Sequence, residues 1–511
     1  MKPTALLTNR LFEKLAAFIK SNKAFYLVII LFIIGASWIA VSSVYPMAFD
    51  EEVHLGIIRF FTSHPNPFFG QQPAELDQFG AVARDASYLY RYAMTVPWHF
   101  ITWLTDNFMA QVVFMRLVNV SLFSAGLVVF RNLIIVASKS KILANLSLIL
   151  VALTPVSSQL AGQINYDNLF FLLLGLMLLF AVKILDSLNS GKADVLNIGL
   201  LIIIGLAGSL VKYTFLPIFA AVAAYIVWSL FIAYKTKKPP LGEAIVKQTK
   251  KLGKTRIIIL SALVVLSSGL FLERYGLNLI RYQTPNPGCV AVIGTDRCQS
   301  YSIYRRSIIY RQNKPEEYSK SPLLFTYRWL KHMQYNLMST LNGPTSGYAI
   351  GQPLPLPFTA AITFAIGGLV LTAVFWRRLI KRVYLRLMGF AVLVYLALLW
   401  GLNYSAYLQT GRRVAVQGRY LVPLLPLIYF VFLKAYAYAL KGLPNLRAGL
   451  AVVLVICFAS GGALTFVLHS DSAWYWPNNF VISTNQKVQK VLAPVIPGSS
   501  YELHYRTSFE W

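Results

Sequence analysis

The sequence predicts an all-α integral membrane protein with about eleven transmembrane helices and two large extracytoplasmic segments that contain interfacial helices. Three observations predict this class. The 511 residues are 57% hydrophobic and 13% charged, with a mean hydropathy of +0.57, which is too apolar for a soluble chain. Apolar runs of about twenty residues recur, each long enough to cross a bilayer. Lys and Arg cluster in the short stretches between those runs, which is the positive-inside pattern.

The net charge of +28 would also suit a nucleic-acid-binding protein. The positions of the charges argue against that class, because they follow the ends of apolar runs. The chain has no zinc-ligand spacing, no phosphate-binding Gly-rich loop and no basic helix on a soluble domain. Membrane lipids are therefore expected partners, and nucleic acid is not.

The first apolar run, 24–44, follows a basic segment with five cations in residues 1–23. It is too long for an ordinary signal peptide and is interpreted as an uncleaved span with a cytoplasmic N-terminus. The spans are predicted at 24–44, 108–130, 142–158, 168–185, 196–211, 215–234, 257–272, 357–376, 387–402, 421–440 and 449–468. They divide the chain into a cytoplasmic N-terminus (1–23), an N-terminal transmembrane module (24–272) with a catalytic first outer loop (45–107), an extracytoplasmic segment (273–356), C-terminal transmembrane helices (357–468) and an extracytoplasmic tail (469–511).

Carboxylates lie where the chain leaves the first span. Asp50 and His54 are spaced i,i+4 and would share one face of a helix, whereas Glu51 would point about 100° away. A carboxylate beside an apolar wall has a raised pKa and suits general-base catalysis. Acidic residues in a first helical turn also simply complement the helix dipole. Asp167, just before the fourth span, is a second carboxylate on the same side, and a helix N-cap role would explain it equally well.

Several cations stand where the positive-inside rule does not place them. Arg116 lies inside the second span, where it either belongs to a site or pairs structurally with an acidic neighbour. Lys212 is the one cation of a tight outer turn, where it either snorkels or binds an anion. The short outer loop 403–420 carries three arginines, Arg412, Arg413 and Arg419.

A base opposite a set of cations is what an inverting sugar transfer from a lipid phosphate requires. Asp50 is the expected base, with Glu51 or Asp167 shaping the site. The expected substrate-binding residues are His54, Arg116, Lys212, Arg412, Arg413, Arg419 and Tyr420. No cofactor is expected, because the D-E-E-x-H string at 50–54 is a weak signal for a metal.

Three motifs carry a resemblance to a known group: PMAFDEEVH (46–54), NYDN (165–168) and QGRYLVPLLP (417–426). The chain resembles the GT-C superfamily of polytopic glycosyltransferases and, more narrowly, a bacterial family of predicted membrane proteins of unassigned function. The resemblance implies a GT-C-like bundle in the cell membrane, a polyprenyl-phosphate sugar donor, and an envelope glycan, lipid or protein acceptor on the outer face. In that family a small residue or proline usually stands where this chain has Glu52, which leaves the choice between Asp50 and Glu51 open.

A transporter or flippase of lipid-linked glycans or anions is the main alternative, since an intramembrane arginine and a basic outer surface suit it too. The sequence lacks the inverted repeat and the paired broken spans typical of secondary transporters. A non-catalytic assembly scaffold would leave the outer acid–base arrangement unexplained. Cys289 and Cys298, nine residues apart in the second outer segment, are expected to form a disulfide.

Overall fold

The computed structural model describes residues 14–47, 50–236, 241–339, 355–470 and 472–496. Parts of the predicted N-terminus (1–13), second outer segment (340–354) and tail (497–511) lie outside the described residues, as do Ala48 and Phe49. The helices within the described ranges are α1 (Asn22–Ser42), α2 (Glu51–Ser63), α3 (Leu89–Ala93), α4 (Thr95–Leu104), α5 (Phe108–Ser138), α6 (Lys141–Ala152), α7 (Pro155–Ala161), α8 (Tyr166–Asn189), α9 (Val195–Val211), α10 (Phe215–Thr236), α11 (Leu241–Leu252), α12 (Lys254–Phe271), α13 (Leu277–Tyr282), α14 (Cys289–Cys298), α15 (Ser302–Gln312), α16 (Pro322–Met338), α17 (Pro355–Val374), α18 (Trp376–Ile380), α19 (Val383–Thr410), α20 (Leu425–Ala439), α21 (Pro444–Phe458), α22 (Ala463–His469) and α23 (Asn479–Leu492).

The predicted count of about eleven spans is confirmed. Nine described segments are long and apolar enough to cross a membrane, and the bent pair α6–α7 makes ten. The shorter apolar helix α9, with 17 residues, is the eleventh and occupies the predicted fifth span. In the described part of the chain the one isolated β-bridge joins Ser43 to Tyr475.

The second span is longer than its hydropathy predicts, because α5 continues past residue 130 to Ser138. Arg131 does not end the helix, since its guanidinium finds hydrogen-bond acceptors and an aromatic ring in the surrounding structure. Its guanidinium donates to Asn145 at 2.8 Å and to Asn22 at 2.6 Å, and it lies 4.2 Å from the ring centre of Phe25. A cation with such partners is tolerated within a helix that hydropathy alone would stop.

The third span is broken rather than straight. α6 and α7 meet at an angle of 74°, at the point where Pro155 removes a backbone donor and disfavours a helical residue before it. The break frees the carbonyl of Leu153, which accepts a hydrogen bond from the backbone N–H of Gly462 at 2.7 Å. The start of α22 therefore packs on the break and holds α7 inside the bundle.

The helix ends separate into two faces. One face, called here the site face, holds Asp50, Asp167, Lys212 and Arg419. The opposite ends of the spans carry most of the short basic loops: Lys139, Lys141, Lys192, Lys250, Lys251, Lys254, Arg256, Arg377, Arg378, Lys381, Arg382, Arg386, Lys441 and Arg447. This asymmetry is the charge pattern from which the site face was predicted to be the outer one.

Amphipathic helices cover the site face, as the sequence predicts. α2 buries Leu55 and Ile58 and exposes Glu52 and Arg59. In the second outer segment the predicted disulfide between Cys289 and Cys298 is present, across α14. Arg297 of this helix forms an ion pair with Asp77 at 2.7 Å and joins the two segments that are predicted to be outer, 45–107 and 273–356.

Candidate active site

Asp50 occupies a turn between the first span and α2. Its φ of +66° lies in the left-handed region, which Asp adopts more readily than most residues. The side chain does not cap α2. It extends instead to Arg419, whose Nη2 lies 2.8 Å from Oδ2 of Asp50. The Asp50 side chain is 41% exposed and that of Arg419 only 3% exposed. A buried cation therefore holds a carboxylate that solvent can reach.

The expectation of a raised pKa at Asp50 is wrong. Burial raises the pKa of this carboxyl, but the charge and hydrogen bond of Arg419, with smaller contributions from His54 and Arg91, lower it below its ordinary value of 3.8. Desolvation of the carboxyl acts in the predicted direction. A guanidinium within hydrogen-bonding distance outweighs it.

His54 lies one turn into α2, and its backbone N–H donates to the carbonyl of Asp50 at 3.0 Å. The imidazole is buried between the rings of Tyr166 and Tyr90, at 4.6 and 5.8 Å between centroids. Arg91 Nε lies 3.4 Å from His54 Nδ1, whereas Nε2 has no hydrogen-bond partner among the described residues. Burial, and then the charge of Arg91, lower the pKa of His54 well below 6.5, so the ring is neutral at neutral pH.

Glu51 and Arg116 form an enclosed ion pair. Both side chains are fully buried, and the guanidinium binds both carboxylate oxygens, at 2.8 and 2.7 Å. The other Arg116 donors reach the carbonyls of Ala40, Ser43 and Val44. This geometry supports the structural alternative for Arg116, since its donors are taken up by protein groups. Exposure also separates Asp50 from Glu51, because only the Asp50 carboxylate reaches solvent.

Asp167 and Lys212 form a second buried pair. The N-cap of α8 is Asn165, so the alternative of Asp167 as N-cap is wrong. One carboxylate oxygen of Asp167 binds Lys212 Nζ, and the other has no hydrogen-bond partner in the described structure. Lys212 Nζ lies 4.8 Å from the ring centres of both Tyr166 and Tyr420. The ammonium group is thus enclosed by a carboxylate and aromatic rings, rather than extended to the membrane surface.

The three predicted arginines of the 403–420 loop separate into different environments. Arg412 is exposed and lies 5.0 Å from the ring centre of Tyr310. Arg413 is half-buried and lines a cavity with side chains of α16. Arg419 turns inward to Asp50, and its Nη2 lies 3.5 Å from the hydroxyl of Tyr420. The structure therefore brings Arg419, Tyr420 and Lys212 near the carboxylates of Asp50 and Asp167. Arg412 and Arg413 lie apart from them.

Gly418 sets the direction of Arg419. The 3₁₀ turn Gly418–Leu424 lies so close to α16 that a Cβ on Gly418 would be 2.6 Å from the backbone nitrogen of Leu337 and 2.8 Å from the carbonyl oxygen of Met333. Only glycine permits this approach. The turn is fixed against α16, and Arg419, the residue after Gly418, reaches Asp50.

The site contains residues that the sequence did not single out. Arg91 donates to Asp85 at 2.6 Å and contacts His54. Tyr301, from the second outer segment, is close enough to Asp85, Arg91 and Asp50 for their charges to act on it, and burial raises its pKa to about 12. The scarcity of cations could have pointed to Arg91, because residues 45–107 contain only three Lys or Arg residues. Nothing local marks Tyr301 among the many tyrosines of its segment.

No group of three or more potential metal-ligating side chains lies together in the part of the chain that the structure describes. The arrangement around Asp50 is thus one of carboxylates, cations and aromatic rings. An exposed, ionised carboxylate beside buried cations can accept a proton and can orient a hydroxyl group.

Two solved structures show similarity over most of the chain. Oligosaccharyltransferase from Archaeoglobus fulgidus, in a crystal structure with Zn and sulfate, is 10% identical over 94% of this chain and 59% of that chain, with a TM-score of 0.38. Archaeal oligosaccharyltransferase AglB from the same organism, in complex with an inhibitory peptide and a dolichol-phosphate, is 11% identical over 95% of this chain and 62% of that chain, with a TM-score of 0.40. The chain spans about three fifths of the length of these structures. No curated protein matches it significantly.

A family model matches the region that carries Asp167, Lys212, Arg413 and Arg419. The model is described as "Predicted membrane protein (DUF2142)" and covers residues 84–428, well over half of the chain. This match confirms the resemblance to a family of predicted membrane proteins that the motifs indicate. The chain belongs to the predicted membrane protein family DUF2142.

Proposed function

We propose that the protein is a membrane glycosyltransferase of the GT-C type that moves a sugar from a polyprenyl-phosphate-linked donor to a cell-envelope glycan, lipid or protein acceptor on the extracytoplasmic face. The Asp50–Arg419 pair carries this proposal, since it presents a fixed, accessible carboxylate at one face of the helix bundle. A base at that level can meet both a water-borne or lipid-borne hydroxyl and a donor whose phosphate lies at the membrane surface.

The proposed reaction is a single displacement. The acceptor hydroxyl oxygen bonds to the anomeric carbon of the donor sugar, and the bond from that carbon to the phosphate oxygen breaks. The phosphate leaves with the bonding electron pair, and the hydroxyl proton passes to the Asp50 carboxylate. The anomeric configuration inverts, and no covalent intermediate with the protein forms.

The lowered pKa of Asp50 suits this role in one respect and limits it in another. The carboxyl is fully ionised at neutral pH and therefore ready to accept a proton. It is a weak base, so proton transfer follows as the attacking hydroxyl becomes acidic during bond formation. In this proposal Arg419 and His54 position Asp50, while the buried Glu51 and Asp167 shape the site from behind it.

The test is sugar transfer by the full-length protein in nanodiscs, from polyprenyl phosphates that carry radiolabelled sugars, to envelope lipid and glycan acceptors. Asp50→Asn keeps the shape of the side chain and removes the base, so we expect the rate to fall about a hundred- to ten-thousand-fold. Glu75→Gln is the matched control, because Glu75 is an exposed carboxylate in the same outer loop. Asp50→Glu, which retains the charge, should recover part of the rate.

Full activity in Asp50→Asn would contradict the mechanism. In sealed proteoliposomes, intact donor that crosses the bilayer without release of polyprenyl phosphate would contradict the transferase itself and favour a flippase. The thermal unfolding midpoint of each variant, measured in the same nanodiscs, separates lost chemistry from lost folding.

A further inference from the structure

A cationic cavity lies beside α16, apart from the Asp50–Arg419 pair. It has a volume of about 200 Å³ and is lined by Tyr327, Arg328, Lys331, His332 and Tyr335 of α16 and by Arg413. The described lining thus contains three cations and no carboxylate. Drug-sized ligands generally occupy about 300–1,000 Å³. The smaller volume suits a compact anionic headgroup better than a glycan.

The charges of this cavity act on one another. Burial lowers the pKa of Arg413, and the nearby Arg328 charge lowers it further. Burial and then the Arg413 charge lower the pKa of His332 to about 4, so the imidazole is neutral at neutral pH. Like charges held together in this way are relieved by a bound anion, and guanidinium groups are the side chains that best bind phosphate oxygens.

The outer surface of α16 indicates where the anion comes from. Leu323, Tyr327 and Leu330 are 83%, 64% and 54% exposed and are spaced four and three residues apart. They form one apolar stripe next to Arg328 and Lys331. The opposite face buries Phe325, Trp329 and Met333 in the protein. A helix with an exposed apolar stripe and adjacent cations suits a membrane interface, where a lipid chain runs along the stripe while its headgroup meets the cations.

The cavity is structurally tied to the Asp50 site. Arg413 and Arg419 belong to the same connection between α19 and α20. Gly418 of that connection packs directly on α16 at Met333 and Leu337. The turn that positions Arg419 therefore contacts the residue next to His332, which lines the cavity. Arg419 and Lys212 lie in the other site, where they bind the carboxylates of Asp50 and Asp167 respectively.

From this arrangement we propose that the cavity formed by Arg328, Lys331 and Arg413 binds the phosphate of a polyisoprenyl phosphate lipid. This inference rests on the proposed function and assigns the donor phosphate to residues other than Lys212 and Arg419. The isoprenoid chain lies along Leu323, Tyr327 and Leu330.

The experiment measures binding of a radiolabelled polyprenyl monophosphate to the full-length protein in phosphatidylcholine nanodiscs. Arg328→Gln with Arg413→Gln should weaken binding about tenfold or more, because charge-assisted hydrogen bonds to phosphate are lost. Arg281→Gln with Arg305→Gln is the matched control. Both of these arginines are exposed in the same outer segment, and the total charge change is equal. The control should bind within about twofold of the native protein. Arg413→Lys, which keeps the charge but not the forked donors, should lose less affinity than Arg413→Gln.

Competition identifies the source of the phosphate. Excess polyprenol of the same length should compete poorly, because it lacks the phosphate. Inorganic phosphate should also compete poorly, because it lacks the isoprenoid chain. Inorganic phosphate that competes as well as the lipid would overturn the lipid assignment. Equal weakening in the two double variants would overturn the site.

These outcomes are separate from those of the transferase test. Lipid phosphate binding that depends on Arg328 and Arg413, without any sugar transfer, would support the cavity and contradict the transferase. Transfer that depends on Asp50, with binding unchanged in Arg328→Gln/Arg413→Gln, would support the transferase and contradict the cavity.

Discussion

Arg116 of α5 binds both carboxylate oxygens of Glu51, at 2.8 and 2.7 Å, in a setting where neither side chain reaches solvent. The same carboxylate accepts the backbone N–H of Met47 at 2.7 Å and that of Ile164 at 3.1 Å. One ion pair therefore connects the end of α1, the start of α2, α5 and the loop before α8. The pair fixes the backbone immediately next to Asp50.

Glu51→Gln should destabilise the protein strongly. Removal of one partner leaves Arg116 charged and buried, which generally costs about 3–5 kcal/mol. The measurement is the thermal unfolding midpoint followed by tryptophan fluorescence in one detergent. Glu52→Gln removes the same charge from the adjacent, exposed position and should leave the midpoint nearly unchanged. Equal midpoints for the two variants would show that the buried pair does not stabilise the fold.

The Asp50–Arg419 pair should stabilise the protein at neutral pH and cease to do so in acid. The folded-state pKa of Asp50 lies below the ordinary value of 3.8. A depressed carboxyl pKa contributes stability above the unfolded pKa, and that contribution is lost as the pH falls through the folded pKa. The unfolding midpoints of the native protein and of Asp50→Asn should therefore differ by a constant amount at neutral pH and converge below about pH 4.

One result of this pH series would contradict a lowered pKa at Asp50. A pKa of Asp50 raised by burial alone would instead make the native protein gain stability relative to Asp50→Asn as the pH falls from neutral toward about 4. Arg419→Gln removes the dominant nearby cation, so in that variant the protonation of Asp50 should shift to higher pH.

The site face should be extracytoplasmic. Glu75 is exposed in the 3₁₀ turn Ala74–Phe79 of the first outer segment, and Val246 is exposed in α11 beside Lys250 and Lys251. With Cys457 replaced by Ala, a cysteine at 75 should react with an impermeant maleimide on intact cells. A cysteine at 246 should react only after permeabilisation. The reverse pattern would place Asp50 in the cytoplasm and remove the proposed reaction.

The spans were predictable because the bilayer imposes one strong rule, that a crossing helix needs about twenty apolar residues. The deviations occur where specific partners override hydropathy. Arg131 remains in a helix because Asn22 and Asn145 bind it. The third span breaks at Pro155 and is held there by Gly462. Hydropathy registers none of these three partners, because each lies outside the apolar run whose residues it sums.

The site was only partly predictable for a related reason. Position relative to the spans pointed to Asp50, Asp167, Lys212 and Arg419, and these four do gather at one face. The sequence does not state which charges neutralise each other. Lys212 was expected to meet a ligand anion and instead lies against Asp167, while Arg413 faces a cavity of its own. The substrate-binding roles of these residues stay predictions.

The bond between Asp50 and Arg419 joins residues 369 positions apart. Ribosomes add about 5–20 residues per second, so roughly 20–75 s pass between the synthesis of the carboxylate and that of its guanidinium partner. During that interval Asp50 in the nascent chain lacks its guanidinium partner. On the proposed mechanism, a chain that stops before residue 419 lacks the cation that holds Asp50 and is expected to be inactive.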